Sequence, residues 1–101
     1  MQKSTEKYNK EELLTAFAEQ LPAIRKILGV SQSEMGRKVG LSRQSISSIE
    51  RGNVALTWNT LLAVLLIVLV NSPDCFGGIM RDERFSLIAE TIKLDSKPVE
   101  A

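Results

Sequence analysis

At 101 residues, 44% hydrophobic and 25% charged, the chain is long enough for one small domain with its own core, and too apolar to be disordered over most of its length. It has no histidine and one cysteine, Cys75, which removes the commonest general base and metal ligand and excludes an internal disulfide or a cysteine-rich zinc site. The net charge of +1 is unevenly spread. Over residues 21–53 six basic side chains (Arg25, Lys26, Arg37, Lys38, Arg43, Arg51) oppose Glu34 and Glu50 for a local +4, leaving −3 elsewhere, a distribution that suits a local polyanion-binding patch.

Residues 1–9 are polar, lack the apolar stretch of a secretory signal, and are expected to form a flexible arm. A first helix is predicted from Lys10 to Leu28, where Leu13, Leu14, Phe17, Leu21, Ile24 and Leu28 recur at spacings of three and four. Pro22 lies inside it and has no N–H for the Ala18 carbonyl, so the helix should kink or split there. Gly29 ends it.

Ser31 is a good N-cap, and Glu34 three residues later completes a capping box. The second helix is expected over residues 32–39, with Met35 and Val39 inward, and Gly40 supplies the left-handed turn after it. Ser42 caps a third helix over 43–50, whose inward residues are Ile46 and Ile49. Gly36 falls where the two short helices would cross, and Leu41 closes their small core.

On the opposite side of the third helix stand Arg43, Gln44, Ser47 and Ser48. Arginine can make two hydrogen bonds to guanine and glutamine two to adenine, so Arg43 and Gln44 are suited to reading base edges. Gln32 opens the second helix, where free backbone N–H groups and a side-chain amide can grip phosphate. Ser45, Arg51, Asn53 and Thr57 are lesser phosphate candidates. Arg37 and Lys38 fit a solvated face.

The fourth helix is expected to start near Thr57 or Trp58, with Trp58 a hydrophobic anchor, and to stop at Ser72-Pro73. Its apolar residues cover nearly the whole circumference, so one face needs a partner beyond the first three helices. The run 61–70 is ten residues without a charge, against the roughly 20 that a membrane span requires; no membrane association is expected, and the location is cytoplasmic. Cys75 is read as a small loop residue. A fifth, amphipathic helix is predicted over 79–94, with Phe85, Ile88, Ala89 and Ile92 on one face, and residues 95–101 form a flexible tail.

The run Gly40-Leu-Ser-Arg-Gln-Ser-Ile-Ser-Ser-Ile-Glu-Arg-Gly52 is very close to the usual pattern of one family. Residues 21–71 resemble the helix-turn-helix domain of phage repressor and Cro proteins, the xenobiotic-response-element-like family. The resemblance implies an all-α, five-helix, lambda-repressor-like DNA-binding domain over 10–94, with the helix-turn-helix at helices two and three. It implies base contacts at Arg43, Gln44 and Ser48, a phosphate contact at Gln32, and an internal ion pair between Arg25 and Glu50. Three features depart from the pattern: Gly36 replaces the usual alanine, 53–56 holds no lysine, and the fourth helix is unusually apolar.

The functional expectation is a sequence-specific regulator of transcription, a repressor or autoregulator, bound to double-stranded DNA as a homodimer through the fourth and fifth helices. One alternative is an antitoxin, in which the same DNA-binding core neutralises a toxin partner. Another is a protein-interaction module without an operator, since fold alone does not settle function. No catalytic constellation, metal site or cofactor is expected.

Overall fold

The computed structural model describes residues 9–94. The arm expected at the N-terminus (apart from Asn9) and the tail over 95–101 lie outside the described residues. All regular structure among the described residues is helical, in agreement with an all-α fold.

Helix α1 spans Lys10–Leu28, begun by Asn9, whose side-chain oxygen accepts the Glu12 N–H at 3.2 Å. Glu11 and Glu12 lie in its first turn and Arg25 and Lys26 in its last, the charge order that the helix dipole favours. Gly29 ends it at φ 74°, where a side chain would be strained. Pro22 does not split α1. A helix-interior proline costs about 3 kcal/mol, but Leu13, Phe17, Leu21 and Ile24 are buried on both sides of it, each worth about 1.5–3 kcal/mol. Burial outweighs the missing hydrogen bond.

Helices α2 (Gln32–Val39) and α3 (Arg43–Glu50) each start on a serine: Ser31 Oγ accepts from the Glu34 N–H and Ser42 Oγ from the Ser45 N–H, both at 3.0 Å. Met35, Ile46 and Ile49 are buried in one core with the apolar residues of α1, and Val39 and Leu41 pack at its edge. Helix α4 (Trp58–Asn71) is capped by Thr57, which accepts the Thr60 N–H at 3.1 Å. It buries Leu61, Val64, Leu65 and Val68, whereas Leu66, Leu69 and Val70 on its other side remain 61%, 41% and 72% exposed. Trp58 is half-buried, with the Lys10 ammonium 4.8 Å from its ring centroid. No helix among the described residues is long and apolar enough to cross a membrane.

The C-terminal part departs from expectation. In place of one helix over 79–94 there are α5 (Pro73–Arg81), a 3-10 turn (Glu83–Phe85) and α6 (Ser86–Ile92). Pro73 stops α4 but also opens α5, since a proline in the first turn needs no donor. Cys75 is therefore helical rather than a loop residue. Asp82 breaks the continuation: its carboxylate accepts the Arg84 N–H at 2.8 Å, a local bond that competes with the helix ladder. The turn presents Phe85 edge-on to Phe17, ring centroids 5.6 Å apart, and Ile88 is buried behind it. Ala89 and Ile92, expected on that same face, are exposed.

Candidate nucleic-acid interface

The placement of α3 begins with a missing side chain. Gly36 is buried, and a Cβ at its position would overlap the carbonyl oxygen of Leu41 and lie 3.3 Å from the carbonyl carbons of Leu41 and Ser42. The Leu41 N–H donates to the Gly36 carbonyl at 2.8 Å, and Gly40 takes φ 81° between them. The α2–α3 turn is thus pulled onto backbone. The sequence asks only for a small residue at 36; the structure narrows that to glycine.

With Ile46 and Ile49 buried, the other side of α3 faces solvent. Arg43 and Gln44 are exposed and Ser47 and Ser48 half-buried. These four, with Arg51 and Val54, line a shallow polar depression whose wall also includes Ser42 and Ser45. Arg51 folds back along the helix to donate to the Ser47 hydroxyl. Ser45 Oγ accepts from the Ser42 hydroxyl at 3.0 Å, which leaves its own proton free to donate. Asn53 and Thr57 are exposed in the next loop and do not line the depression. The Thr57 hydroxyl is engaged in capping α4.

Beneath this surface lies an ion pair joining α1 to the end of α3. Arg25 donates from Nε to Glu50 Oε2 at 2.6 Å and from Nη2 to Glu50 Oε1 at 3.0 Å. Its Nη1 donates to the Val30 carbonyl at 3.2 Å, tying in the α1–α2 turn as well. The two side chains are 19% and 6% exposed. Burial pushes the Glu50 carboxyl up, but hydrogen bonds from Arg25 and Gln32 and the charge of Arg25 outweigh it and hold the group below the usual carboxylate range. The pair is a scaffold, turned away from the solvent face of α3.

Gln32 is joined to both surfaces. Its amide nitrogen donates to Glu50 Oε1 at 2.9 Å, and its amide oxygen accepts from Arg43 Nη1 at 3.4 Å. Nothing in the sequence signals this link, because the partners are 18 and 11 residues away on α3. Val54, 52% exposed at the edge of the depression, was also unmarked; a single apolar loop residue has no distinguishing pattern. Among the described residues no group of histidine, cysteine, aspartate or glutamate could hold a metal ion.

Residues 23–65, from the second half of α1 to the first half of α4, match the family model described as Helix-turn-helix. No curated protein and no solved structure matches the chain. The 23–65 segment is a helix-turn-helix unit, of which α2 and α3 are the two helices and Gly40 the turn.

Proposed function

We propose that the chain is a sequence-specific regulator of the phage repressor and Cro type, which binds double-stranded DNA as a homodimer by laying α3 in the major groove. One observation carries this reading: Arg43 and Gln44 stand exposed at the N-terminal end of α3, the end from which a recognition helix contacts base edges. Arg43, Gln44, Ser47 and Ser48 read bases. The N-terminus of α2 at Gln32, with Ser45, Arg51, Asn53 and Thr57, holds phosphates. Repression or autoregulation, a cytoplasmic location, and the absence of catalysis and cofactor belong to the same reading.

Selection of bound duplexes from random sequence, followed by anisotropy titrations, tests it. Arg51 is the cation assigned to phosphate, two per dimer, so affinity should fall about tenfold between about 50 and 200 mM salt. Gln44→Ala should relax preference at one base pair by about 1–3 kcal/mol and leave the salt dependence unchanged. Absence of any salt-sensitive complex at micromolar protein overturns the reading.

The homodimer is supported by the exposed strip of Leu66, Leu69 and Val70 on a helix with no charged residue. In a two-fold interface the side chains at the axis meet their own copies, where a charge would repel itself. Dimerisation pairs two half-sites about 34 Å apart. Leu66→Lys is expected to give a folded monomer by sedimentation, with operator affinity reduced and the concentration-dependent part of its stability lost. The same strip would serve an antitoxin reading, with a second protein in place of the second copy; co-purification with a different small protein separates the two.

A further inference from the structure

Val54 is the one apolar side chain among the described residues that line the depression on the solvent side of α3, and it is 52% exposed. A single exposed valine is ordinary on a protein surface; this one is set apart by how firmly it is held. The chain leaving α3 folds straight back onto it. The Arg51 N–H donates to the Ser47 carbonyl and the Gly52 N–H to the Ile49 carbonyl, both at 3.0 Å, and the Asn53 and Val54 N–H groups both donate to the Ser48 carbonyl, at 2.9 and 3.3 Å. Gly52 makes the reversal at φ 81°. Two residues beyond Val54, Leu56 is 3% exposed and anchors the loop in the core.

Valine is branched at Cβ and has few rotamers, so backbone and side chain are both ordered before a ligand arrives. A contact made here costs little conformational freedom. It is not an electrostatic contact, because residues 53–56 include no charged side chain, and a valine side chain has no hydrogen-bonding group. What Val54 offers is a small apolar face beside the hydroxyls of Ser47 and Ser48. Among the donors and acceptors on base edges in the major groove there is one apolar group, the C5-methyl of thymine. Deoxyribose also presents carbon, but at every nucleotide, so contact with it would not depend on sequence. Val54 shares the depression with the four side chains assigned above to bases, which favours the methyl group.

We propose that Val54 is a specificity-determining residue, which packs against one thymine methyl group in each half-site and adds a preference for thymine there; the inference rests on the DNA-binding reading above. Burying one methyl-sized group is worth about fourfold in affinity. No charge is involved, so the salt dependence is untouched.

The test uses the duplex selected by the wild type and a series in which each thymine in turn is replaced by deoxyuridine. That change removes the methyl group and leaves the hydrogen-bonding edge intact. The wild type is expected to lose about fourfold at one thymine in each half-site. Val54→Ala lacks the contact in both half-sites and should bind the parent duplex about 16-fold more weakly. It should also lose the response to uracil at that thymine alone, with the salt dependence retained. Val54→Ile keeps the apolar face and should still discriminate. The bonds that hold the loop are backbone ones, so each variant should fold, which Trp58 fluorescence verifies. Val54→Ala responding to uracil as the wild type does at every thymine overturns the inference, and so does a wild type indifferent to every replacement. Weaker binding by Val54→Ala with the uracil response retained, as a deoxyribose contact would give, overturns it too. A wild-type chain that selects no DNA removes the functional reading itself, and this inference with it.

Discussion

Replacing Arg25 by alanine is expected to lower the unfolding free energy by about 3 kcal/mol, toward the lower end of what breaking a buried pair costs. The cost arises from what remains. Glu50, 6% exposed at its side chain, would keep one neutral donor, Gln32, in place of two charge-assisted bonds. The Val30 carbonyl would also lose its guanidinium partner. Arg25 retains 19% exposure, which admits some water and keeps the value from the upper end. The exposed pair of Arg84 and Asp82 is the comparison: two residues apart and open to solvent, it should leave the unfolding midpoint almost unmoved when Arg84 is replaced. Urea unfolding followed by Trp58 fluorescence measures both, with an unchanged slope showing that stability alone has altered.

The same substitution has a pH signature. In the wild type Glu50 is held below the ordinary carboxylate range, because bonds from Arg25 and Gln32 and the Arg25 charge outweigh its burial. Its contribution to stability is complete above that range and is lost as pH falls through the lowered folded-state value. Without Arg25, burial dominates and the carboxyl shifts upward. The variant then gains stability on acidification while the wild type loses it. The gap between them is expected to narrow from pH 7 toward pH 4; a gap independent of pH would assign the loss to packing and not to the charge.

Gly36→Ala is the second large effect, an expected net loss of up to about 2 kcal/mol. Alanine gains about 1 kcal/mol of helix propensity over glycine. Against that, its methyl group would overlap a backbone oxygen, Leu41 O, which cannot rotate away as a side-chain tip could. Overpacking of this kind costs about 1–3 kcal/mol, and relief requires α3 to move off α2. On the DNA-binding reading proposed above, affinity for duplex DNA should therefore drop with stability, since the moved helix carries Arg43 and Gln44. Gly78→Ala supplies the control: it is a helix-interior glycine with nothing near an added Cβ, so the variant should be more stable by about 0.5–1 kcal/mol. An alanine at 36 as benign as one at 78 would show that the helices do not approach so closely.

The first four helices were legible because their signals are local. Asparagine, serine or threonine caps α1 to α4, left-handed glycines end α1 and α2, and the burial of Phe17, Leu21, Ile46 and Ile49 follows spacing alone. Beyond Asn71 local signals conflict. The apolar spacing over 79–94 favours one helix, while Asp82 favours interruption. The interruption wins because a turn at Asp82 lets Phe85 reach Phe17, a contact across 68 residues of chain.

Periodicity and caps, which act within a few residues, were sufficient to specify a helix-turn-helix with an Arg–Gln edge outward. Three features depended on segments meeting in space: the demand for glycine at 36, the fragmented C-terminal helices, and the attachment of Gln32 to Glu50 and Arg43. Each arises from a distance between atoms far apart in the chain, and no window along the sequence contains both ends of such a distance.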